Sequence, residues 1–437
     1  MKTIAYHTLG CKVNQYDTQA MEELLSAAGY HTVPFPQPAD IYLVNTCTVT
    51  GTGDRKSLQL ARRLKREHPD CTLILCGCLA QLRGSELLSA GADLVVGTQF
   101  RTRIVPLLEQ VLSSGKPVCA VEPFTEETRF EPLEVREHLE HTRAVMKIQE
   151  GCRNRCAYCI IPAVRGPIRS RDPEEIRSEA LRLAAAGYRE IVLTGIHLTS
   201  YGKDLPGDIS LLSVLQILEE TDGILRVRLG SLEPGIATEA FAEALKGFTK
   251  LCPQFHLALQ SGSDSVLRRM RRQYNTAGYL QAVSRLRAVY PMAAFTTDIL
   301  TGFPGETPEE FGETKEMIRK VGFARIHVFP YSLRPGTPAA EMPGQLSDAE
   351  KQRRARELIA LGNAVADCYR RQWIGKTAVV LPEEKTGGCW EGYSPEYLRV
   401  RLGPEAVCTA GSPVRVLIQD IAPRFLGGVM INQSEVD

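Results

Sequence analysis

The chain has 437 residues, 43% hydrophobic and 24% charged, which excludes a disordered, collagen-like or coiled-coil chain and asks for two to four domains of roughly 150 residues. Lys plus Arg number 52 against 51 Asp plus Glu. No global basic field exists, so any nucleic-acid contact must come from local patches. No apolar run reaches the ~18 residues of a membrane span, and Met1–Gly10 lacks the apolar core of a signal peptide; the cytoplasm is the expected compartment. The 13 cysteines are odd in number and unevenly spaced. In a reducing compartment that argues for metal or redox chemistry rather than a disulfide framework.

In chain order, Ile4–Leu9, Ile41–Thr46, Thr72–Leu75 and Leu94–Val96 are apolar runs of strand length. Thr18–Ala28 and Ser57–Glu67 have helical periodicity, the first stopped by Gly29 and the second carrying Arg62, Arg63, Lys65 and Arg66 outward. This alternation predicts an open parallel sheet, which places ligands beyond its strand carboxyl ends. Residues 122–140 are acidic and poorly periodic, and read as a linker with room for a short helix. A second alternating region has strands expected at Ala144–Gln149, Glu190–Thr194, Leu225–Leu229, Phe255–Gln260, Ala294–Leu300 and Arg325–Phe329. Helices are expected between most of them, including Pro173–Ala186 and Thr307–Val321. Six such units are two short of a full barrel. Ser347 with Glu350 is a capping-box signature opening a helix to about Arg371. Thr377–Leu381, Tyr397–Leu402 and Val414–Ile418 then read as strands of a small β-barrel. The expected organisation is an open parallel α/β domain over 1–121, the linker over 122–140, a partial (β/α)6 barrel over 141–371 and a small all-β barrel over 372–437.

The strongest local signal is Gly151-Cys152-Arg153-Asn154-Arg155-Cys156-Ala157-Tyr158-Cys159, immediately after an expected strand. Three thiols so close together suit a metal. A structural zinc closes with four ligands, and no fourth Cys or His is near. Three cysteines on a four-iron cluster leave one iron open. The spacing Cys-x3-Cys-x-aromatic-Cys at the end of a first barrel strand resembles the radical S-adenosylmethionine superfamily. That resemblance implies a 4Fe-4S cluster on Cys152, Cys156 and Cys159, with S-adenosyl-L-methionine on the open iron and Tyr158 near its adenine.

Cys11, in Gly10-Cys11-Lys12-Val13-Asn14, Cys47, in Asn45-Thr46-Cys47, and Cys78, in Cys76-Gly77-Cys78-Leu79-Ala80, each follow an expected parallel strand. Neighbouring strand ends would bring them together, although by spacing alone buried core cysteine is the competing reading. Ahead of a radical cysteine motif, these three words resemble the methylthiotransferase family. That resemblance implies a second 4Fe-4S cluster on Cys11, Cys47 and Cys78. Cys76 is an alternative to Cys78, because both would face one side if the strand ran on.

The resemblance continues through Ile161-Pro162-Ala163-Val164-Arg165-Gly166, Thr194-Gly195-Ile196-His197, His256 to Ser263 and Thr297 to Glu306. It implies that Gly195 approaches the methionine moiety of S-adenosylmethionine. Gln260 and Asp298 are polar contacts to that cofactor or to substrate. His197, His256 and His327 read as hydrogen-bonded barrel histidines. Arg268, Arg269, Arg271 and Arg272 form either a solvated helix face or a contact to RNA phosphates. The tail resembles the RNA-binding TRAM domain, yet is slightly acidic, with Trp390, Tyr393 and Tyr397 available for base stacking or hairpin packing.

The implied activity is that of a tRNA methylthiotransferase adding a methylthio group at C2 of N6-threonylcarbamoyladenosine beside the anticodon, with two uses of S-adenosylmethionine. Thr8-Leu9-Gly10-Cys11-Lys12-Val13-Asn14-Gln15-Tyr16-Asp17 and His327-Val328-Phe329-Pro330-Tyr331-Ser332 resemble that branch most. The isopentenyladenosine branch, a ribosomal-protein aspartate methylthiotransferase and a non-enzymatic iron–sulfur RNA-binding regulator are the alternatives. Expected partners are the tRNA anticodon stem-loop, an electron donor such as flavodoxin or ferredoxin, and a sulfur source, with no membrane.

Overall fold

The computed structural model describes residues 1–136 and 142–431. The end of the acidic stretch, with Glu137 and Glu140, the expected barrel start at 141 and the tail residues 432–437 lie outside the described residues.

The first region is one parallel sheet. Its strands are β1 (Thr3–Thr8), β2 (His31–Thr32), β3 (Ile41–Thr46), β4 (Thr72–Gly77), β5 (Leu94–Val96) and β6 (Val118–Ala120), in the order β2-β1-β3-β4-β5-β6. Every residue of β3 is buried, as a central strand covered on both faces must be. Thr8 pairs with Asn45, Asn45 with Cys76 and Thr46 with Gly77, so β1, β3 and β4 end at one level. The helix expected from Thr18 starts at Lys12. Apolar periodicity missed its first turn because that turn buries polar residues, Asn14 and Asp17, beside Val13 and Tyr16. The second helix likewise begins early, at Gly51, where Thr50 accepts from the Gly53 amide as N-cap.

The second region carries six parallel strands in two half-sheets: β7 (Arg143–Glu150), β9 (Glu190–Gly195), β10 (Arg226–Leu229), β12 (Gln254–Leu257), β13 (Ala294–Thr301) and β14 (Arg325–Pro330). Two short strands, β8 (Arg169–Ser170) and β11 (Ser231–Leu232), attach to them. Strand periodicity sorts the faces. Ala144, Met146 and Ile148 join the outer core, while Arg143, Lys147 and Gln149 alternate with them and face inward. The strand expected to reach Gln260 stops at Leu257; Gln260 has φ +64, outside the β region. The long helix spans Asp348–Arg371, with Ser347 accepting from the Glu350 amide.

The tail is a closed barrel of β15 (Thr377–Thr386), β16 (Cys389–Tyr393), β17 (Arg399–Leu402), β18 (Val414–Ile421) and β19 (Leu426–Met430), in the order β15-β16-β17-β19-β18. Strands β16 and β19 escaped the sequence reading because Gly392, Gly427 and Gly428 dilute their β signal. The barrel seats on the amino ends of the central strands, away from Cys152. Arg226 donates to Tyr393 O and Val379 O, each at 2.9 Å, and Arg228 donates to Pro395 O at 2.7 Å. Ala294, Tyr369 and Trp373 share its apolar core.

The acidic stretch contains no helix among its described residues. It is a strap instead. Glu131 pairs with Arg101 at 2.8 Å, Tyr16 donates to Leu133 O at 2.8 Å, and Leu133 and Val135 pack on Tyr16 and Ala20.

Candidate active site

Cys11, Cys47 and Cys78 stand just beyond β1, β3 and β4, three adjacent strands. Two asparagines tie these strand ends together. Asn14 donates to Leu9 O at 2.7 Å and Thr46 O at 3.1 Å; Asn45 donates to Asn14 O and Thr18 Oγ1, each at 3.0 Å. The thiols are near enough to feel one another's charge. Burial pushes the Cys78 thiol up to about 11. A bound metal, which prefers thiolate, is what would draw off that proton.

Cys76 and Cys78 do not share a face. Strand β4 does not run on. Gly77 has φ +89, and the next helix, Cys78–Arg83, starts immediately. A Cβ at Gly77 would come within 2.2 Å of Asn45 Oδ1, so glycine is required there. Cys76 therefore stays in the sheet core with Ile74 and Val96, its sulfur 3.7 Å from Val44 O. Cys78 turns out of the sheet toward Cys11 and Cys47.

Arg165 completes this site from the other region. Its Nε donates to Cys78 Sγ at 3.3 Å, and its other nitrogens reach Asn14 Oδ1, Glu150 and Asp17. Asp17 is also paired with Arg101 and Lys147, and Arg101 reaches Glu150 at 2.7 Å. All five charged side chains are almost fully buried. Burial opposes ionisation of Asp17 and Glu150, but the cations, led by Arg101 and Lys147, hold both below the ordinary carboxylate range. Such a network fixes geometry rather than adding much net stability.

Cys152, Cys156 and Cys159 lie in the irregular loop after β7. Cys152 Sγ accepts from the Asn154 amide at 3.4 Å, and Cys156 Sγ accepts from Arg272 Nη1 at 3.0 Å. Burial pushes the Cys159 thiol to about 12. Arg272 is held by Glu233 at 2.7 Å and by Tyr274 at 3.1 Å. The basic run Arg268–Arg272 therefore divides. Arg268 and Arg271 are exposed, Arg269 pairs with Glu310, and Arg272 is a buried partner of the thiol loop and presents no guanidinium to RNA phosphates. Glu233 also accepts from Asn154 at 2.9 Å and faces His197 at 3.2 Å. Burial works against its charge, yet the His197 hydrogen bond and the Arg272 charge bring its carboxyl down to about 2.

The remaining expected contact residues lie on or near the carboxyl ends of the central strands, or in the thiol loop itself. Tyr158 packs edge-on to Phe303 with centroids 6.4 Å apart. Gly195 ends β9; a Cβ there would meet Gln149 Cβ and Leu198 Cδ2 at 3.0 Å, so tight packing accounts for the glycine. The left-handed Gln260 donates its amide to Asp298 O at 2.9 Å, and the Asp298 carboxylate faces His256 at 3.4 Å. His256 also meets Thr296 at 3.0 Å. Tyr393 and Tyr397, offered by the sequence for base stacking, stack on each other at 4.7 Å beneath Arg143, inside the seam between the central strands and the tail.

The two triads share a wall. Ile160 follows Cys159 directly, and Ile160 and Val164 pack against Cys78 in one apolar cluster. Each site offers three sulfur donors and an arginine N–H aimed at a sulfur, with the Asn154 amide adding a second at the loop site, a donor set that suits an iron–sulfur cluster. Among the described residues no three His, Cys, Asp or Glu side chains are drawn in round a single ion. Sequence reasoning named the six cysteines but not Arg165, Arg272, Asp17, Glu150 or Glu233. Arg165 was visible only as part of a word, and Arg272 only as part of a basic run.

Residues 146–318 match the Radical SAM superfamily, and residues 3–97 match a family described as uncharacterized, UPF0004. The chain is 42% identical over 407 residues to the threonylcarbamoyladenosine tRNA methylthiotransferase MtaB of Bacillus subtilis, covering 92% of this chain and 90% of the relative. It is 38% identical to the protein of the same name from Thermotoga maritima, over 91% of each. It is 36% identical to a tRNA-2-methylthio-N(6)-dimethylallyladenosine synthase of Pelotomaculum thermopropionicum, covering 89% of this chain and 88% of that one. Among solved structures, the radical S-adenosylmethionine methyltransferase TsrM of Kitasatospora setae shares the fold at TM-score 0.59 and 15% identity, over 78% of this chain and 75% of its own. The radical-SAM match implies one 4Fe-4S cluster with S-adenosylmethionine. No helix among the described residues is long and apolar enough to cross a membrane. The chain belongs to the radical S-adenosylmethionine methylthiotransferase family, in the branch of its threonylcarbamoyladenosine tRNA members.

Proposed function

We propose that this enzyme adds a methylthio group at C2 of N6-threonylcarbamoyladenosine beside the anticodon of tRNA. In this reading Cys152, Cys156 and Cys159 hold one 4Fe-4S cluster, and Cys11, Cys47 and Cys78 hold a second. The observation that carries the reading is the shared wall: Ile160 and Val164, just after Cys159, pack on Cys78. A sulfur-bearing site and a radical-generating site must lie close, because the base is presented to both. Bound there, the clusters and S-adenosylmethionine would supply a hydrogen-abstracting radical and a methyl group and hold the sulfur to be transferred, chemistry that belongs to the cofactors.

The chain's own residues do the rest. Arg272 and the Asn154 amide direct N–H groups at the Cys156 and Cys152 sulfurs; Arg165 does the same at Cys78. Donors of this kind stabilise the more negative form of a thiolate-bound cluster. Tyr158, Gly195, Gln260 and Asp298 border the space where S-adenosylmethionine would lie. Residues 1–121, 141–371 and 372–437 act as three units, joined by the linker 122–140, of which the described part, 122–136, is the strap. A flavodoxin or ferredoxin supplies electrons, a separate donor supplies sulfur, and the cytoplasm is the place of work. Unpaired loop bases suit this chemistry because they can be splayed out of the stack.

The test is mass spectrometry of tRNA nucleosides from cells lacking the gene. The expected result is loss of the 2-methylthio group from threonylcarbamoyladenosine alone. Loss from an isopentenyladenosine derivative would assign the other branch. Unchanged tRNA with an unmodified ribosomal-protein aspartate would move the substrate to protein.

A further inference from the structure

The helix Gly51–Glu67 carries positive charge on its outer face that little nearby neutralises. Arg55, Lys56, Arg62, Arg63 and Arg66 are all exposed there. Positions 55, 62 and 66 are seven and four apart, and so form one row along the helix. Arg55 reaches only Thr52 Oγ1, at 3.4 Å, and neither Lys56 nor Arg62 forms an ion pair among the described residues. Arg63 and Arg66 share Glu67 at 3.8 and 3.7 Å, in exposed contacts that leave their charge largely available. The helix's other acid, Asp54, is taken by Arg334 at 2.9 Å. From Arg55 to Arg66 the row runs about 16 Å, enough to meet on the order of four consecutive phosphates.

Its first turn opens onto a cleft of about 660 Å³. Thr50, Gly51, Thr52 and Arg55 form one wall, the end of β14 with its following loop, Phe329–Leu333, forms the second, and Asp348, Lys351 and Gln352 of the long helix line the third, where Asp348 is paired with Lys351. Phe329 and Leu333 are 44% and 47% exposed, unusual for side chains of that size. The Gly51 amide donates to Ser332 Oγ at 2.9 Å and closes the seam beneath. Cys47 lies three residues before the capping Thr50. A cleft with exposed apolar side chains on one wall thus stands beside the first triad, with a row of weakly paired cations leading away from it. The tail offers less: Arg399 and Arg401 both pair with Glu391, and its two stacked tyrosines are committed to the seam.

We propose that this helix is a track for the phosphodiester backbone of the tRNA anticodon arm, and that the cleft takes an unpaired loop base against Phe329. The proposal rests on the tRNA reading above. Row and cleft together favour RNA over an acidic protein: phosphate contacts position a strand, and an exposed aromatic ring stacks on a base.

The test uses the full chain with its clusters reconstituted, a whole tRNA carrying the precursor base, and a series of salt concentrations. In the variant Arg55→Glu/Arg62→Glu/Arg66→Glu the log–log salt slope should become shallower by about two to three, and affinity at 0.1 M salt should fall roughly 100-fold. Phe329→Ala should weaken binding about tenfold with the slope unchanged. Iron content and circular dichroism matching the parent establish that each variant is folded. A folded triple variant that binds tRNA with the parent's affinity and slope overturns the track. So does one that keeps tRNA binding but accepts electrons only from dithionite and no longer from flavodoxin, since the helix would then dock an acidic electron donor. A parent protein that binds no tRNA overturns the tRNA reading itself, and the track with it.

Discussion

The two cysteine triads are opposite solutions to one chemical problem. Cys152, Cys156 and Cys159 sit within a single loop, whereas Cys11, Cys47 and Cys78 are gathered by the order of β1, β3 and β4 in a sheet. A local loop can hold its thiols with little help from the rest of the molecule. The distributed site depends on strand register, on Asn14 and Asn45, and on Arg165, at the end of the short helix Ile161–Arg165 in the central region. Yet each triad receives one buried guanidinium from far away in sequence, Arg272 onto Cys156 and Arg165 onto Cys78, 116 and 87 residues distant. Proximity in sequence sets how a site is found; it does not set how its electrostatics are finished.

The largest expected effect would break the comparison outright. The reconstituted protein should hold about eight irons, and replacing either triad with alanines should leave about four. Cys156→Ala should abolish production of 5′-deoxyadenosine. Cys47→Ala should keep it under reductant but make no methylthiolated nucleoside. Normal methylthiolation by a folded Cys47→Ala protein with one cluster would remove the first triad from sulfur transfer.

Arg165→Met should show how strongly the distributed site leans on its arginine. It leaves Asp17 and Glu150 short of a buried partner, at a cost of about 3–5 kcal/mol. Denaturant unfolding measures that loss, and the iron deficit should fall on the first triad. Arg272→Lys should be gentler. It keeps the charge but loses the fork that spans Cys156 and Glu233, so the cluster on the Cys152–Cys159 loop should shift to a more negative potential. An unchanged midpoint in redox titration would show that this donor does not tune the cluster.

Glu233 sharpens the local side of the comparison through pH. Its carboxyl is depressed to about 2, so its contribution is complete above the ordinary carboxylate value near 4.5 and lost as pH falls through about 2. In Glu233→Gln that part of the acid slope should vanish, a difference of about 3 kcal/mol in unfolding free energy between those limits. The smallest effect belongs to Cys76→Ala. It should cost about 1–2 kcal/mol of core packing and leave the iron count unchanged. Loss of about four irons would instead make Cys76 a ligand.

Much of this molecule was legible before any coordinates. Six parallel strands of the central region and the capped helix from Ser347 follow from periodicity and turn chemistry, because those signals are local. The cysteine words were equally legible, since a thiol loop and a glycine–cysteine step are written in consecutive residues. Other features were hidden. The first turn of the Lys12 helix is polar by composition and buried by context. The acidic stretch looked like a free linker, but Glu131, Leu133 and Val135 bind it to its neighbours.

By itself, then, the sequence determined how the cysteines are spaced, roughly where strands and helices fall, and that no global charge attracts RNA. Tertiary structure alone decided that Cys76 stays in the sheet core while Cys78 turns out of the sheet. It decided that Arg272 serves a thiol rather than a phosphate, and that Tyr393 and Tyr397 brace a seam rather than meet a base. The physical reason is the range of the interactions. Backbone propensity and metal-ligand spacing act over a few residues, whereas the pairing of a buried charge is set by whichever chain segment the fold carries to it.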